Sequence, residues 1–95
     1  MNQVLHPKIA KEAGTLITEL QTKGWSLSTL IYDARSFGNW YVELCRESDC
    51  IQITKGRNQY NLSGPPIAEL QAAELWKAFD DWEEFHHCIS NWVPT

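Results

Sequence analysis

Apolar side chains recur at two different spacings along the chain, and the change of spacing divides it into three parts. In residues 8–22 they lie three and four positions apart, which places them on one face of a helix. Pro7 suits the first helical position, where its missing N–H costs nothing, and Lys23-Gly24 is typical of a helix end. We therefore predict an amphipathic helix over residues 8–22, with Trp25 packing back onto its apolar face. That face comprises Ile9, Ala13, Leu16, Ile17 and Leu20.

Between residues 27 and 62 apolar positions alternate with polar ones, which is the period of a strand with one buried face. Three short stretches of turn-forming residues interrupt the alternation, and connections this short require antiparallel neighbours. The pattern predicts a four-stranded antiparallel meander. Its strands are expected at residues 28–35, 40–46, 50–55 and 59–63, and the first alternates least cleanly.

Residues 67–93 return to a helical spacing after the break at Ser63-Gly64-Pro65-Pro66. Asp80 and Glu83 match a capping box, so this segment is either one continuous helix or two. In the second case the first helix ends near Ala78 and the next starts at Asp81. The predicted apolar face comprises Ala72, Leu75, Phe79, Trp82, Phe85, Ile89 and Trp92.

The order of these elements predicts an α+β fold in which the helical segments pack on one face of the sheet. A chain of 95 residues forms one domain, so residues 1–95 are expected to share a single core. The residues predicted to face that core are Leu16, Leu20, Trp40, Val42, Leu44, Ile51, Ile53, Leu75, Phe79 and Trp82.

Composition and charge narrow the classes of protein that remain. The chain is 43% hydrophobic and 12% aromatic, which excludes full disorder, and its net charge of −4 argues against a nucleic-acid partner. No apolar run approaches the roughly 18 residues that span a bilayer, and no basic stretch followed by an apolar one marks a secretory signal. We therefore expect a cytoplasmic protein without a membrane partner.

The three cysteines are an odd number, which favours free thiols in a reducing compartment. Cys45 and Cys50 nevertheless lie on either side of a predicted hairpin turn. An opportunistic disulfide is feasible there if the environment oxidises them.

Acidic residues are concentrated near the C-terminus, where six of the twelve carboxylates lie within residues 69–84. Such a cluster is typical of a solvated helix face, and also of a docking surface for a basic partner, since a concentrated field steers association. On the docking interpretation Trp76 is an apolar anchor beside the charges. The expected partner-binding carboxylates are Glu74, Asp80, Asp81, Glu83 and Glu84.

A polar hairpin tip over residues 55–60 is a second candidate for recognition. Gly56 permits a tight reversal, and Arg57 and Asn58 present hydrogen-bond donors. A plain polar β-turn is the simpler interpretation. In a recognition role, Arg57 would donate in a forked geometry to a carboxylate or a phosphate.

His86, His87 and Cys88, with the other two cysteines, are the residues with metal-ligand chemistry. Zinc ligands usually come in pairs a few residues apart, whereas these histidines are adjacent and point about 100° apart on a helix. No nucleophile, phosphate-loop or dinucleotide motif is present, so we expect no metal, no cofactor and no enzyme activity. Two alternatives remain: a small metal- or ligand-binding or enzymatic domain that uses these three residues, or an adaptor that dimerises through a sheet edge or Trp92.

Three stretches together resemble small uncharacterised bacterial α+β proteins, some of which are similar to the immunity proteins that accompany bacterial toxins. They are Ser36-Phe37-Gly38-Asn39-Trp40-Tyr41-Val42-Glu43-Leu44, the turn over residues 55–60, and Leu75-Trp76-Lys77-Ala78-Phe79. The resemblance covers about half of the chain and consists of a hairpin style and an acidic helix. It implies that a monomer or homodimer inhibits a basic toxin domain by surface complementarity, without catalysis or a cofactor. No defined inhibitory motif is matched, so no functional residue of the family is transferred.

Overall fold

A computed structural model describes residues 6–33 and 39–93 of the chain. Its elements are α1 (Pro7–Thr22), β1 (Ser26–Asp33), β2 (Asn39–Arg46), β3 (Asp49–Gly56), β4 (Gln59–Ser63), α2 (Ile67–Ala72) and α3 (Trp82–Trp92). The strands form one antiparallel sheet in the order β1-β2-β3-β4, so the predicted α+β fold with a four-stranded meander is confirmed. The end of the predicted first strand and most of the first turn, residues 34–38, lie outside the described residues. No helix in the described ranges is both long and apolar enough to cross a membrane.

Helix α1 begins and ends where its local chemistry predicts. Pro7 occupies the first turn, where a backbone N–H would have no helical partner. At the other end Gly24 has a φ of 95°, and its N–H donates to the carbonyl of Gln21. The N–H of Trp25 donates to the carbonyl of Leu20, which completes a Schellman motif. Trp25 is thereby returned onto the helix and is only 4% exposed.

One face of the sheet is buried under the helices. Alternate residues of β2 and β3 point to this face, as the period of two predicts. The apolar stripe of α1 packs against them, so sheet and helices share one apolar cluster. The cluster includes every predicted core residue except Trp82: Leu16, Leu20, Trp40, Val42, Leu44, Ile51, Ile53, Leu75 and Phe79.

Strand β1 starts two residues earlier than predicted and contains an irregularity. Its register with β2 shifts between Leu27 and Thr29, as at a β-bulge. The extra residue lets Leu27 and Leu30, three positions apart, both face the core side. Ile31 then points away and is exposed, so the poor alternation of this strand follows from a bulge and one outward apolar residue.

The C-terminal segment forms two helices, but they separate earlier than predicted. Helix α2 ends at Ala72 rather than near Ala78, because Glu74 adopts a left-handed φ of 60°. The N–H of Leu75 then donates to the carbonyl of Leu70 at 2.8 Å, and both leucines are buried, as is usual at such helix ends. This helix end is hidden in the sequence, since glutamate occupies the position where glycine is the usual signal.

Helix α3 begins one residue later than the capping box predicts. Its N-cap is Asp81 and not Asp80, because Oδ1 of Asp81 accepts a hydrogen bond of 3.2 Å from the N–H of Glu83. Trp82 faces the core, as predicted, but it is not fully buried. In the first turn of α3 it packs against the core from the rim and stays half-buried. Ala72 is exposed for a related reason, since α2 and α3 do not continue one apolar face.

Cys45 and Cys50 form a disulfide with their Sγ atoms 2.07 Å apart, so the prediction of three free thiols is wrong. The two residues are register partners on β2 and β3, and their Cα atoms are 4.0 Å apart. The two-residue turn over 47–48 forces that pairing and brings the sulfurs within bonding reach. Cys88 is a free cysteine, half-buried on α3.

Candidate protein-binding surface

Trp76 lies on the irregular segment between α2 and α3, and its indole is 52% exposed. The backbone on both sides is held in place, since Leu75 is fully buried and Phe79 is nearly so. Phe79 also forms an antiparallel bridge with Tyr60 of β4, in which each N–H donates to the other's carbonyl at 2.9 Å. An exposed indole on a fixed backbone loses little backbone freedom on binding, which is the property that an apolar anchor requires.

Beside Trp76 a cavity of about 320 Å³ separates the outer edge of β4 from residues 76–78. The cavity forms because residues 76–78, which follow α2, lie away from the sheet edge. The chain joins that edge at Phe79. We call this the edge cavity. It is lined by Asn61, Leu62, Ser63, Trp76, Lys77 and Ala78. The contribution of β4 was not predicted, although a last strand followed by two prolines is a signal for a sheet edge.

Four of the predicted binding carboxylates surround the start of α3, and all four are exposed. Negative charge is favourable there because it faces the positive end of the helix dipole. We call this group the acidic helix end. It consists of Asp80, Asp81, Glu83 and Glu84.

Two side-chain contacts connect the acidic helix end to its surroundings. Nζ of Lys77 lies 3.4 Å from Oε1 of Glu84, and both side chains are more than half exposed. Such a pair adds little stability, but it places Glu84 beside the residue that follows Trp76. Oδ1 of Asp80 accepts a hydrogen bond of 2.8 Å from Nε2 of Gln59, at the base of the β3–β4 turn.

Arg57 and Asn58 form that turn, with φ angles of 54° and 64°. Two successive positive φ angles are those of a type I′ turn, the two-residue turn that suits antiparallel strands. Arg57 is exposed, and within the described ranges its guanidinium forms no ion pair. Since Gln59 follows the turn directly and contacts Asp80, Arg57 lies at the same end of the molecule as the acidic helix end.

Glu74 is the predicted binding residue that the structure places elsewhere. It lines an open groove of about 760 Å³ between α2 and α3, together with His87, Cys88 and Trp92. Its left-handed backbone ends α2. The structure therefore separates Glu74 from the acidic helix end and gives it a role in helix termination.

In the alternative site at His86, His87 and Cys88, helix α3 directs the two histidine side chains to different sides. Nε2 of His86 faces α1, 3.7 Å from Oε1 of Glu19, whereas His87 is exposed and hydrogen-bonds Asn91 at 3.1 Å. In residues 6–33 and 39–93, no three His, Cys, Asp or Glu side chains are arranged to hold a metal ion.

A partly buried polar cluster fixes α1 to the sheet near the acidic helix end. Oε1 of Glu12 lies 2.6 Å from Nζ of Lys55, and its Oε2 accepts a hydrogen bond of 3.0 Å from Nε1 of Trp40. Burial raises the pKa of the nearby Tyr60 hydroxyl, and the charge of Glu12 raises it further. The phenol therefore stays neutral at physiological pH. These partners are 28 and 43 residues apart in the sequence, so periodicity could not reveal them.

A row of hydrogen bonds on the outer sheet face was also missed. Ser28 Oγ donates to Glu43 Oε1 and Gln52 Nε2 donates to Glu43 Oε2, both at 2.8 Å. Ser63 Oγ then donates to Gln52 Oε1 at 3.3 Å, so one residue from each strand takes part. The hydrogen bond from Gln52, followed by that from Ser28, holds the pKa of Glu43 below its ordinary value. Alternation marks these positions as outward-facing but does not identify their partners.

No family model matches the chain, and neither a curated protein nor a solved structure matches it. The fold and the surface are thus the basis for a functional proposal. They define an α+β protein in which an exposed tryptophan stands beside a sheet edge and an acidic helix end.

Proposed function

We propose that the protein is a non-catalytic protein-binding module, most concretely an immunity-type inhibitor of a basic bacterial toxin domain. The observation that carries the proposal is Trp76, a half-exposed indole between two buried residues. The partner is a protein, not a nucleic acid or a membrane, and binding needs no cofactor. The inhibitor acts as a monomer or a homodimer.

The two parts of the surface contribute differently to binding. An indole that is desolvated in the complex slows dissociation, and tryptophan is among the residues that dominate binding energy. The acidic helix end acts over a longer range and speeds association with a basic partner. Because its carboxylates are exposed, salt should screen their effect.

The first test measures the anchor. The partner is captured from the native host, identified by mass spectrometry and purified for stopped-flow binding. Trp76→Ala should raise the dissociation rate and cost about 2 kcal/mol or more, roughly 30-fold in Kd. Ile31→Ala is the matched control, since Ile31 is 56% exposed but lies on β1, at the opposite edge of the sheet.

The second test measures the charges at two salt concentrations. Glu83→Lys combined with Glu84→Lys should slow association several-fold and flatten its salt dependence. Asp81 is left unchanged because it caps α3. Glu47→Lys, at an exposed turn on the other end of the sheet, is the control. A partner indifferent to the loss of Trp76 and to both reversals contradicts the proposal.

The compartment is part of the proposal. We place the protein in the cytoplasm, and the Cys45–Cys50 disulfide is the feature that stands against this placement, because thiols are usually kept reduced there. Acid quenching of intact cells followed by thiol alkylation tests this. A disulfide present at the moment of quenching would indicate an oxidising compartment instead.

A further inference from the structure

A cavity of about 300 Å³ lies where the hairpin of β2 and β3 meets the ends of the helices, and it is more enclosed than the edge cavity. We call it the hairpin cavity. Much of its wall is apolar, since it is lined by the indoles of Trp25 and Trp92 and by Pro65 and Pro66. A volume at the low end of the range of ligand pockets indicates a small occupant.

Two opposite charges stand side by side at this cavity. The alternation of β2 and β3 places Arg46 and Asp49 on the core side of the sheet, directly beyond the buried pair Leu44 and Ile51. Arg46 and Asp49 are register partners, so their Cβ atoms are about 4.5–5.5 Å apart. Both line the cavity. In the part of the chain that the structure describes, they nevertheless form no ion pair with each other.

The guanidinium of Arg46 is held away from Asp49 by contacts with the end of α1. Its Cζ lies 4.9 Å from the ring centroid of Trp25, and its Nη1 donates to the carbonyl of Lys23 at 3.2 Å. The arginine stem passes Gly24, where an added Cβ would lie 3.4 Å from Cδ. That hydrogen bond uses one of the five N–H donors of a guanidinium. The others are oriented in advance for a carboxylate, which arginine binds in a forked geometry.

The negative side of the cavity consists of two carboxylates. Asp49 is exposed, whereas Oε1 of Glu69 accepts a hydrogen bond of 3.1 Å from Nε1 of Trp92. A ligand that engages both Arg46 and Asp49 must carry a carboxylate and a cation on neighbouring atoms, because the two residues are adjacent. The apolar wall favours an apolar side chain on the same ligand. These three features together are those of an α-amino acid.

We propose that the hairpin cavity binds a free α-amino acid with an apolar side chain. The carboxylate of the ligand lies on the guanidinium of Arg46, and its ammonium group lies on the carboxylate of Asp49. Its side chain packs against Trp25 and Trp92. Since the hairpin cavity is at the end of β3 remote from the β3–β4 turn, this site is separate from the acidic helix end and does not depend on the proposed function.

The test is an NMR titration of the whole isotope-labelled protein with three ligands, read from the indole N–H signals. L-leucine carries both charges, N-acetyl-L-leucine lacks the ammonium group, and L-leucinamide lacks the carboxylate. L-leucine should shift the signals of Trp25 and Trp92 in a saturable way at millimolar concentration. Each of the other two ligands should bind about tenfold more weakly. The internal control is Trp40, at the other end of β2, whose indole donates to Glu12 and should not respond.

Two variants assign each charge of the ligand to its partner. Asp49→Asn should weaken L-leucine about tenfold but leave N-acetyl-L-leucine unchanged, since that ligand has no ammonium group to lose a partner. Arg46→Gln should weaken L-leucine but not L-leucinamide. Because Arg46→Gln also removes the hydrogen bond to Lys23, Asp49→Asn is the decisive variant. Glu47→Gln, on the exposed turn beside them but outside the cavity lining, is the matched control.

The absence of a saturable shift at Trp25 and Trp92 with L-leucine would overturn the proposal. Equal affinities for the three ligands would also overturn it, because they would show that the apolar side chain alone is bound. The same holds if Asp49→Asn weakens L-leucine and N-acetyl-L-leucine alike. None of these results decides the proposed function, which stands or fails on the kinetics of the captured partner with Trp76→Ala.

Discussion

Phe79 and Tyr60 exchange two backbone hydrogen bonds, each 2.9 Å long, across the outer edge of β4. This bridge holds the segment that presents Trp76. It also occupies one outward-facing position of β4 and leaves the next, Leu62, inside the edge cavity. The bridge and the buried Leu75 together therefore hold the backbone on both sides of Trp76, on which the proposed function depends.

Phe79→Ala should lower the free energy of unfolding by about 3–5 kcal/mol, the usual loss for a buried phenylalanine. The ring is 2% exposed and packs against Phe85 with ring centroids 5.1 Å apart. Trp76→Ala is the matched change and should alter stability by less than about 1 kcal/mol, since its ring is half-exposed. Urea denaturation measures both. Similar losses in the two variants would contradict the separation of a structural Phe79 from a free Trp76.

Asp81→Ala should destabilise the protein by about 1 kcal/mol because it removes the N-cap hydrogen bond to Glu83. Asp80→Ala removes only an exposed hydrogen bond with Gln59 and should cost less than half as much. Thermal unfolding followed by circular dichroism distinguishes them. The reverse order would restore Asp80 as the cap, as the capping box predicts.

The native protein should contain one titratable thiol, Cys88, when it is unfolded without reductant, and three after reduction. Replacing Cys45 and Cys50 together by serine should preserve the fold, because the rest of the β2–β3 ladder holds the same register. The disulfide closes a very short loop, so its loss should cost about 2 kcal/mol. Three thiols in the unreduced, freshly purified protein would contradict the pairing.

Gly64→Ala should be strongly destabilising, by about 2 kcal/mol or more. Gly64 has a φ of 113°, and a Cβ added there would lie 2.4 Å from the carbonyl oxygen of Cys50. Gly56→Ala is the control, since no atom lies within 4 Å of its added Cβ. Chemical denaturation of the two variants should differ clearly, and equal stability would show that the chain after β4 lies farther from β3.

The free energy of unfolding should decrease at acid pH, because Glu19 becomes protonated there. The hydrogen bond from Ser90 Oγ, 2.5 Å long, is the main cause that holds the pKa of Glu19 below its ordinary value, and the charges of His86 and Lys23 add to it. The carboxylate is thus favoured in the fold. Its contribution is complete above the usual pKa of about 4.3 and is lost as the pH falls through the lowered value.

Glu19→Gln should therefore flatten the pH dependence of the free energy of unfolding between about pH 5 and pH 3. Ser90→Ala should flatten it in part, because it removes the largest cause of the shift. The measurement is urea denaturation across that range. An unchanged acid-side slope in both variants would mean that other carboxylates govern it.

The exposure of the acidic helix end could be predicted, because charged residues clustered on one helix face rarely enter a core. That Trp76 stays exposed could be suspected from its place at the border of the predicted apolar face. That the backbone of Trp76 is held in place could not be predicted, since this depends on the bridge between Phe79 and Tyr60, 19 positions apart. Glu74 was grouped with the other acids because a helix end at a glutamate has no common sequence signal.

By itself the sequence determined helix α1, the meander of four strands, and the sides of α1, β2 and β3 that enter the core. Those properties depend on the spacing of neighbouring apolar residues, and α1 and the meander follow it closely. The tertiary structure decided where α2 ends, that Asp81 caps α3 and that Cys45 meets Cys50. These features depend on register and on contacts between distant segments, whose geometry is set only when the chain packs.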